Sequence, residues 1–247
     1  EVVLTGIHVC SYGLDRGDGS EAVMVLANKI SAIDGIERIR LGSLEPLSIT
    51  PAFIAEARRN AKLCPHFHLS LQSGSDTVLK RMNRRYSTAQ FRSVAAALRE
   101  AFPACSLTTD IIVAFPGETE TEFDETYAFC AEMGFARMHI FRYSPRQGTA
   151  AAAMPSQVDA ATSAERSQRL QTLADTLAAN FHTACLASEQ EVLVETHLAD
   201  GRAEGYTAAY VPVRIQPGQT LEPGQIYRVR PLRANAEFLL ATDAKPR

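Results

Sequence analysis

Apolar and polar positions along the first two-thirds of the chain change period in a regular rhythm. Short apolar or alternating runs at about 1–9, 37–42, 66–72, 106–114 and 137–142 read as strands. Stretches with apolar residues every three to four positions, at about 20–33, 50–61, 87–101 and 119–133, read as amphipathic helices. This βαβα order specifies a parallel sheet covered by helices, because each crossover must be right-handed and pack back on a face. A (β/α) barrel, or part of one, fits. Helix starts agree: Ser87 and Thr88 offer a cap before the run ending near Ala101, and Thr119 to Asp124 places acids in a first turn, beside the positive helix end.

The strand at 66–72 carries an unusual stripe. Phe67, Leu69 and Leu71 are apolar, while His66, His68, Ser70 and Gln72 between them are polar. Strands covered on both faces normally read as continuous apolar runs. An unpartnered buried polar group costs roughly 1–3 kcal/mol, so the stripe needs a ligand, water or mutual bonds, and should face a barrel interior with Ser70 and Gln72 opening onto it. Both histidines also fit as hydrogen-bonded core residues, and Gln72, nearest the strand end, is the better candidate for ligand contact.

The stretch "TAAAAMPSQV" reads as a small-residue connector, followed by a helix whose Leu170, Leu173, Leu177 and Phe181 share one face. From about residue 189 the texture shifts to short alternating strands separated by Asp200-Gly201, Pro217-Gly218 and Pro223-Gly224, which are turn pairs. An antiparallel mini-barrel follows. The boundaries are 1–155 for the α/β part, 156–187 for the connecting helix and 188–245 for the mini-barrel.

Composition narrows the picture little. With 247 residues and 46% hydrophobic positions the chain can build a real core. No apolar run reaches the roughly 20 residues of a membrane span, and the strand-like start "EVVLTGIHVC" suggests a beginning inside a domain. A net charge of −3 gives no global argument for nucleic acid. The five cysteines, Cys10, Cys64, Cys105, Cys130 and Cys185, are far apart with no CxxC spacing, and read as reduced packing thiols of a cytoplasmic protein.

Chemistry in a barrel collects where its strands end. The sequence marks that edge with Thr5-Gly6-Ile7-His8, Gly42-Ser43-Leu44-Glu45-Pro46, Gln72-Ser73-Gly74-Ser75-Asp76, Phe115-Pro116-Gly117-Glu118 and the run Tyr143 to Thr149. One such turn is ordinary. Five at equivalent places point to a site. The stretch "LKRMNRRY" adds Lys80, Arg81, Arg84 and Arg85 beside Tyr86 in what reads as one loop, which is either a solvated helix end or a phosphate- or carboxylate-binding patch.

In order, "LTGIHVCSYG", "RIRLGSLEP", "CPHFHLSLQSGSDTVLKRMNRRY", "TTDIIVAFPGETETEFDET", "YSPRQGTAAAAMP" and "GYTAAYVPV" resemble the radical SAM methylthiotransferases over essentially the whole chain. The branch acting on threonylcarbamoyladenosine next to the tRNA anticodon is the nearest match. The resemblance implies a partial TIM-like barrel of the radical SAM type followed by an OB-like TRAM domain that helps hold RNA. It also implies cleavage of S-adenosylmethionine by a 4Fe-4S cluster and sulfur insertion at adenine C2 with a second, auxiliary 4Fe-4S cluster. The family's N-terminal domain, its CxxxCxxC loop and the auxiliary-cluster cysteines are missing from these 247 residues. The chain alone is therefore expected to bind no cluster and to be inactive.

Carried over by position, Thr5, Gly6, His8, Ser43, Glu45, Gln72, Ser73, Arg84, Asp110, Ile112 and Ala114 fall at the S-adenosylmethionine edge. Lys80, Arg81, Arg85, Arg146, Tyr206 and Tyr210 are the candidate RNA contacts, the tyrosines being either stacking platforms or mini-barrel core. The resemblance assigns no catalytic side chain and no metal ligand here. It implies a tRNA anticodon stem-loop as partner, with no DNA, no membrane and a monomeric state. Ala114 stands where the family usually has Gly, and Ala209 where it has Asn. The alternatives are the isopentenyl-adenosine branch, the branch modifying a ribosomal protein, and an RNA-binding module without radical chemistry.

Overall fold

A computed structural model describes the chain except residues 7, 18, 20 and 219. Ile7 of the first strand-end loop and Ser20 of the first expected helix thus lie outside the described residues. Five parallel strands, β1 (Val2–Leu4), β2 (Ile39–Leu41), β3 (His66–His68), β4 (Ser106–Val113) and β5 (Arg137–Arg142), run in chain order. The two-stranded sheet β1/β2 and the three-stranded sheet β3/β4/β5 are joined by bridges at Ile39–Leu63 and Leu44–Leu69. Between them lie α1 (Ala22–Ser31), α2 (Pro51–Arg59), α3 (Asp76–Arg81), α4 (Thr88–Ala101) and α5 (Glu120–Met133). The arrangement is the expected open part of a (β/α) barrel.

Local chemistry fixes the helix starts. Ser87 with Gln90 and Thr119 with Glu122 form reciprocal capping boxes at α4 and α5. Asp159 accepts from the amides of Ala161 and Thr162 at the start of α6 (Ala160–Ala184). The apolar half of the striped strand, Phe67, Leu69 and Leu71, is fully buried in one cluster with Phe53 of α2 and Phe91 and Leu98 of α4. That orientation leaves the polar half for the barrel interior, as the alternation requires.

The remaining strands, β6 (Gln190–His197), β7 (Ala203–Thr207), β8 (Pro212–Ile215), β9 (Ile226–Ala234) and β10 (Leu239–Pro246), close into a small barrel ordered β10-β8-β7-β6-β9. All its pairings are antiparallel except β8 with β10. Its core is separate, built on Val192, Val194, Val213, Ile215, Leu239 and Ala241. Among the described residues no helix is long and apolar enough to cross a membrane.

The small barrel docks under the N-terminal ends of the parallel strands. Arg38 and Arg40, both buried, donate to carbonyls at the end of β7 and in the turn after it: Arg38 to Tyr206 at 3.2 Å, Arg40 to Thr207 at 3.4 Å and to Ala208 at 3.0 Å. Ser106 donates to the Ala209 carbonyl at 2.5 Å. Arg40 is also held by both oxygens of Glu1.

Candidate functional site

The C-terminal strand ends form a continuous edge. The Gly42 amide donates to the Leu4 carbonyl at 2.8 Å, and a side chain at Gly42 would meet Thr5 at about 3.3 Å, so the turns after β1 and β2 touch. Ser43 and Ser70 hydroxyls lie 2.6 Å apart, linking β2 to β3. Gln72, in the left-handed region at φ 70°, donates its backbone N–H to the Asp110 carbonyl and accepts at its own carbonyl from the Ile112 backbone N–H, linking β3 to β4. Ala114, at φ 60°, then turns the chain, and its amide donates to Glu118 at 2.7 Å.

The edge gathers most of the expected S-adenosylmethionine residues. Thr5, Gly6, His8 and Ser43 are exposed; Glu45, Arg84, Asp110 and Ile112 are half-buried. Ser73 differs. Its hydroxyl is buried against Thr126 of α5 at 3.0 Å, so what it offers the edge is its backbone. Gly74 explains the tight approach, since a Cβ there would lie 2.8 Å from Phe129 and Thr126.

Inside the sheet the polar stripe finds partners on neighbouring strands. Thr108 Oγ1 sits 3.0 Å from both His66 Nε2 and His68 Nδ1, and His68 Nε2 lies 3.3 Å from Asp110. Burial, with the charges of Arg40 and His68, pushes His66 down to about 3. Burial alone would raise Asp110, but the hydrogen bond and charge of His68 outweigh it and hold the carboxyl below its usual range. Burial and the Arg137 charge lower His139, against the pull of Asp110.

The RNA candidates divide. Lys80 and Arg81 are helical, not loop residues: Ser75 and Asp76 start α3, its last turn carries the two cations, and Asn83 ends it at φ 57°. The Ser-Asp start was the available signal. Arg81 is engaged by Glu122 and donates to the Pro116 carbonyl, fastening α3 to the loop after β4. Lys80, Arg84, Arg85 and Arg146 make no ion pair among the described residues, and all but half-buried Arg84 are exposed. Tyr206 and Tyr210 lie at the other end of the strands. They stack at 4.8 Å, with Arg40 over Tyr210 at 4.6 Å and His66 at 5.0 Å, so neither is mini-barrel core. Roughly 20 Å of strand separates them from the rim.

Some positioning residues escaped the sequence reading. Tyr86 donates to the Ser70 and Leu71 carbonyls, holding the strand end of β3. Buried Arg166 of α6 binds Glu118 at 2.9 Å, and through it the turn at Ala114. Between β5, α6 and the small barrel lies a cavity of about 530 Å³ lined by Arg137, His139, Tyr206, Tyr210, Arg214 and Phe238.

The cysteines do not fit an iron–sulfur cluster. Cys10, Cys64, Cys105 and Cys130 are buried on separate elements, Cys185 is half-buried, and none joins a group of potential metal ligands among the described residues. Burial raises every one of the five thiols, to about 11 at Cys64 and Cys105 and about 12 at Cys130. Cluster ligands are thiolates.

A partial parallel (β/α) barrel with a polar strand-end edge, carrying a closed five-stranded barrel beneath it, defines the class. The chain belongs to the radical SAM superfamily, whose family model matches residues 7–130. It is 40% identical over 242 residues to the threonylcarbamoyladenosine tRNA methylthiotransferase MtaB of Bacillus subtilis (strain 168), covering 96% of this chain and 53% of that protein. To the tRNA-2-methylthio-N(6)-dimethylallyladenosine synthase of Moorella thermoacetica it is 38% identical over 241 residues, covering 97% and 54%. The chain spans about half the length of these curated relatives. Coproporphyrinogen III oxidase (HemN) from Escherichia coli, described as a radical SAM enzyme, superposes with a TM-score of 0.50 at 13% identity over 85% of this chain and 50% of that one, a likeness of fold alone.

Proposed function

We propose that the chain is the S-adenosylmethionine- and RNA-holding part of a cytoplasmic tRNA methylthiotransferase acting at C2 of N6-threonylcarbamoyladenosine beside the anticodon. The observation that carries this reading is the 40% identity to the Bacillus enzyme along nearly the whole chain. The continuous strand-end edge supports it.

In this reading Thr5, Gly6, His8, Ser43, Glu45, Gln72, Asp110, Ile112 and Ala114 hold S-adenosylmethionine, with Ser73 contributing backbone and Arg84 facing the carboxylate. Bound there, S-adenosylmethionine supplies its methyl group and its adenosyl carbon. Lys80, Arg85 and Arg146 take phosphates at the rim, and the small barrel is the TRAM domain. The 247 residues supply no cluster ligands, so anaerobic reconstitution with iron and sulfide is expected to leave this chain without a cluster.

Two measurements test the reading. tRNA from cells lacking the gene is expected to keep threonylcarbamoyladenosine but lose its 2-methylthio derivative by mass spectrometry; loss of the methylthiolated isopentenyl nucleoside instead would move the protein to that branch. Charge reversal at Arg85 and Arg146 is expected to weaken tRNA binding and reduce its salt slope by about two, one for each phosphate no longer neutralised. An unchanged slope would remove the rim from the RNA interface.

A further inference from the structure

Of the inward-facing side chains His68, Asp110 and His139, the proposed function uses only Asp110. We propose that His68, Asp110 and His139 form a mononuclear site for a divalent transition-metal ion, distinct from any iron–sulfur cluster. The three residues come from the adjacent strands β3, β4 and β5. Register places them on one face: His68 pairs with Thr108, Asp110 is two residues beyond Thr108, and Asp110 pairs with His139.

The geometry fits an ion. One ligand atom from each residue lies within 4.8 Å of the other two, and His68 Nε2 is 3.3 Å from Asp110 Oδ2. Donors bonded at about 2.0–2.2 Å to a common metal sit roughly 3–3.5 Å apart, so small rotations about the His139 side chain complete the set. Two imidazoles and one carboxylate suit zinc, cobalt or ferrous iron, whereas magnesium and calcium prefer oxygen alone.

A supporting shell is already in place. Ligating histidines usually give their second nitrogen to a hydrogen-bond partner that fixes the ring; here His68 Nδ1 faces Thr108 Oγ1 at 3.0 Å. The Thr108 hydroxyl has one proton and two imidazole neighbours, so it donates to one and accepts from the other. In the metal-free protein His68 Nε2–H points at Asp110, leaving Nδ1 to accept from Thr108. Thr108 then accepts from His66 Nε2–H, and His66 Nδ1, which has no hydrogen-bond partner, carries only a lone pair. With metal on Nε2, the His68 proton moves to Nδ1 and donates to Thr108. The hydroxyl turns to His66 Nε2, and the proton of that ring moves to Nδ1. No proton is gained or lost overall.

The entry path is the cavity between β5, α6 and the small barrel, which Thr108 and His139 line. All three ligands are half-buried, leaving room for water on the open coordination positions.

The test uses Co²⁺ and Zn²⁺ alone with the 247-residue protein, without S-adenosylmethionine or RNA, so its outcome is separate from that of the proposed function. One Co²⁺ per chain is expected to bind with visible ligand-field absorption, to be displaced by Zn²⁺, and to broaden the ring signals of His68 and His139 in the unmutated protein. Zn²⁺ should shift the ring nitrogens of His68 and His66 as the tautomers exchange. Asp110→Asn and His139→Gln should each weaken binding roughly tenfold or more, while His197→Gln on the small barrel leaves it unchanged; Thr108→Val should weaken it about tenfold through the lost support. Failure to bind Co²⁺ in the micromolar range, thiolate charge-transfer bands, broadening confined to other histidines, or unchanged affinity in folded Asp110→Asn and His139→Gln variants would each overturn the site.

Discussion

Ala114 is held at φ 60° with its amide bonded to Glu118 and only 4% of its surface exposed. A left-handed backbone costs an ordinary L-residue about 1–2 kcal/mol, whereas a glycine there loses about 0.4–1 kcal/mol through the greater freedom of its unfolded chain. Ala114→Gly should therefore stabilise the protein by roughly 0.5–1 kcal/mol, raising the thermal midpoint by a few degrees; a lower midpoint would contradict the strain. Gly205 of β7 has the opposite sign. A Cβ there would lie 2.0 Å from the Leu193 carbonyl oxygen across the β6–β7 pair, so even alanine must part the two strands. At this scale the period-two alternation of β3 made its inward-facing side chains legible in the sequence. It did not reveal that one threonine on β4 serves both histidines, because that bond depends on register between segments 40 residues apart.

Among the elements, the strands and long helices were legible because their apolar periods persist over many residues, and the two capping boxes mark where α4 and α5 start. Helix α3, of 6 residues, was not: it spans less than two turns, and its closing cations looked like a basic loop. The link between α5, α6 and the turn after β4 was also hidden. There Arg166, 4% exposed, binds Glu118, 5% exposed, and also bonds exposed Glu120 at 3.1 Å. Burial raises Glu118 despite the Ala114 amide and the Arg166 charge. Removing one partner of such a pair strands the other charge, at a cost of about 3–5 kcal/mol. Arg166→Met is expected to lose that much in urea denaturation, and adding Glu118→Gln should restore part of it, since the amide still accepts from Ala114 and needs no counter-charge. A double variant as unstable as the single one would show that the packing of Arg166 against Glu120 and the Phe123 ring matters more than the charge.

For the whole molecule, what the sequence could not reveal is where the small barrel sits, since docking joins carbonyls at the end of β7 and in the turn after it to arginines about 170 residues earlier. A second clasp closes the far side. His182 of α6, 5% exposed, bonds the Asn235 carbonyl at 2.7 Å, so its Nδ1 carries the proton. Burial holds this imidazole below its ordinary value, the Arg137 charge adds to the effect, and the Asn235 carbonyl opposes it. The unfolded chain protonates the same ring near pH 6.5. Below that pH the unfolded state binds more protons than the folded one, so the contribution is complete above about 6.5 and is lost as pH falls toward the depressed folded value, with a slope of at most about 1.4 kcal/mol per pH unit. His66 is depressed for the same first reason and adds a slope of the same sign. His182→Asn keeps a donor for the Asn235 carbonyl but cannot titrate. It should therefore show nearly unchanged stability at pH 7.5 and a shallower, not absent, loss between pH 6.5 and 5 in urea denaturation. An acid limb as steep as that of the unmutated protein would mean that this clasp does not hold the two barrels together through a neutral imidazole.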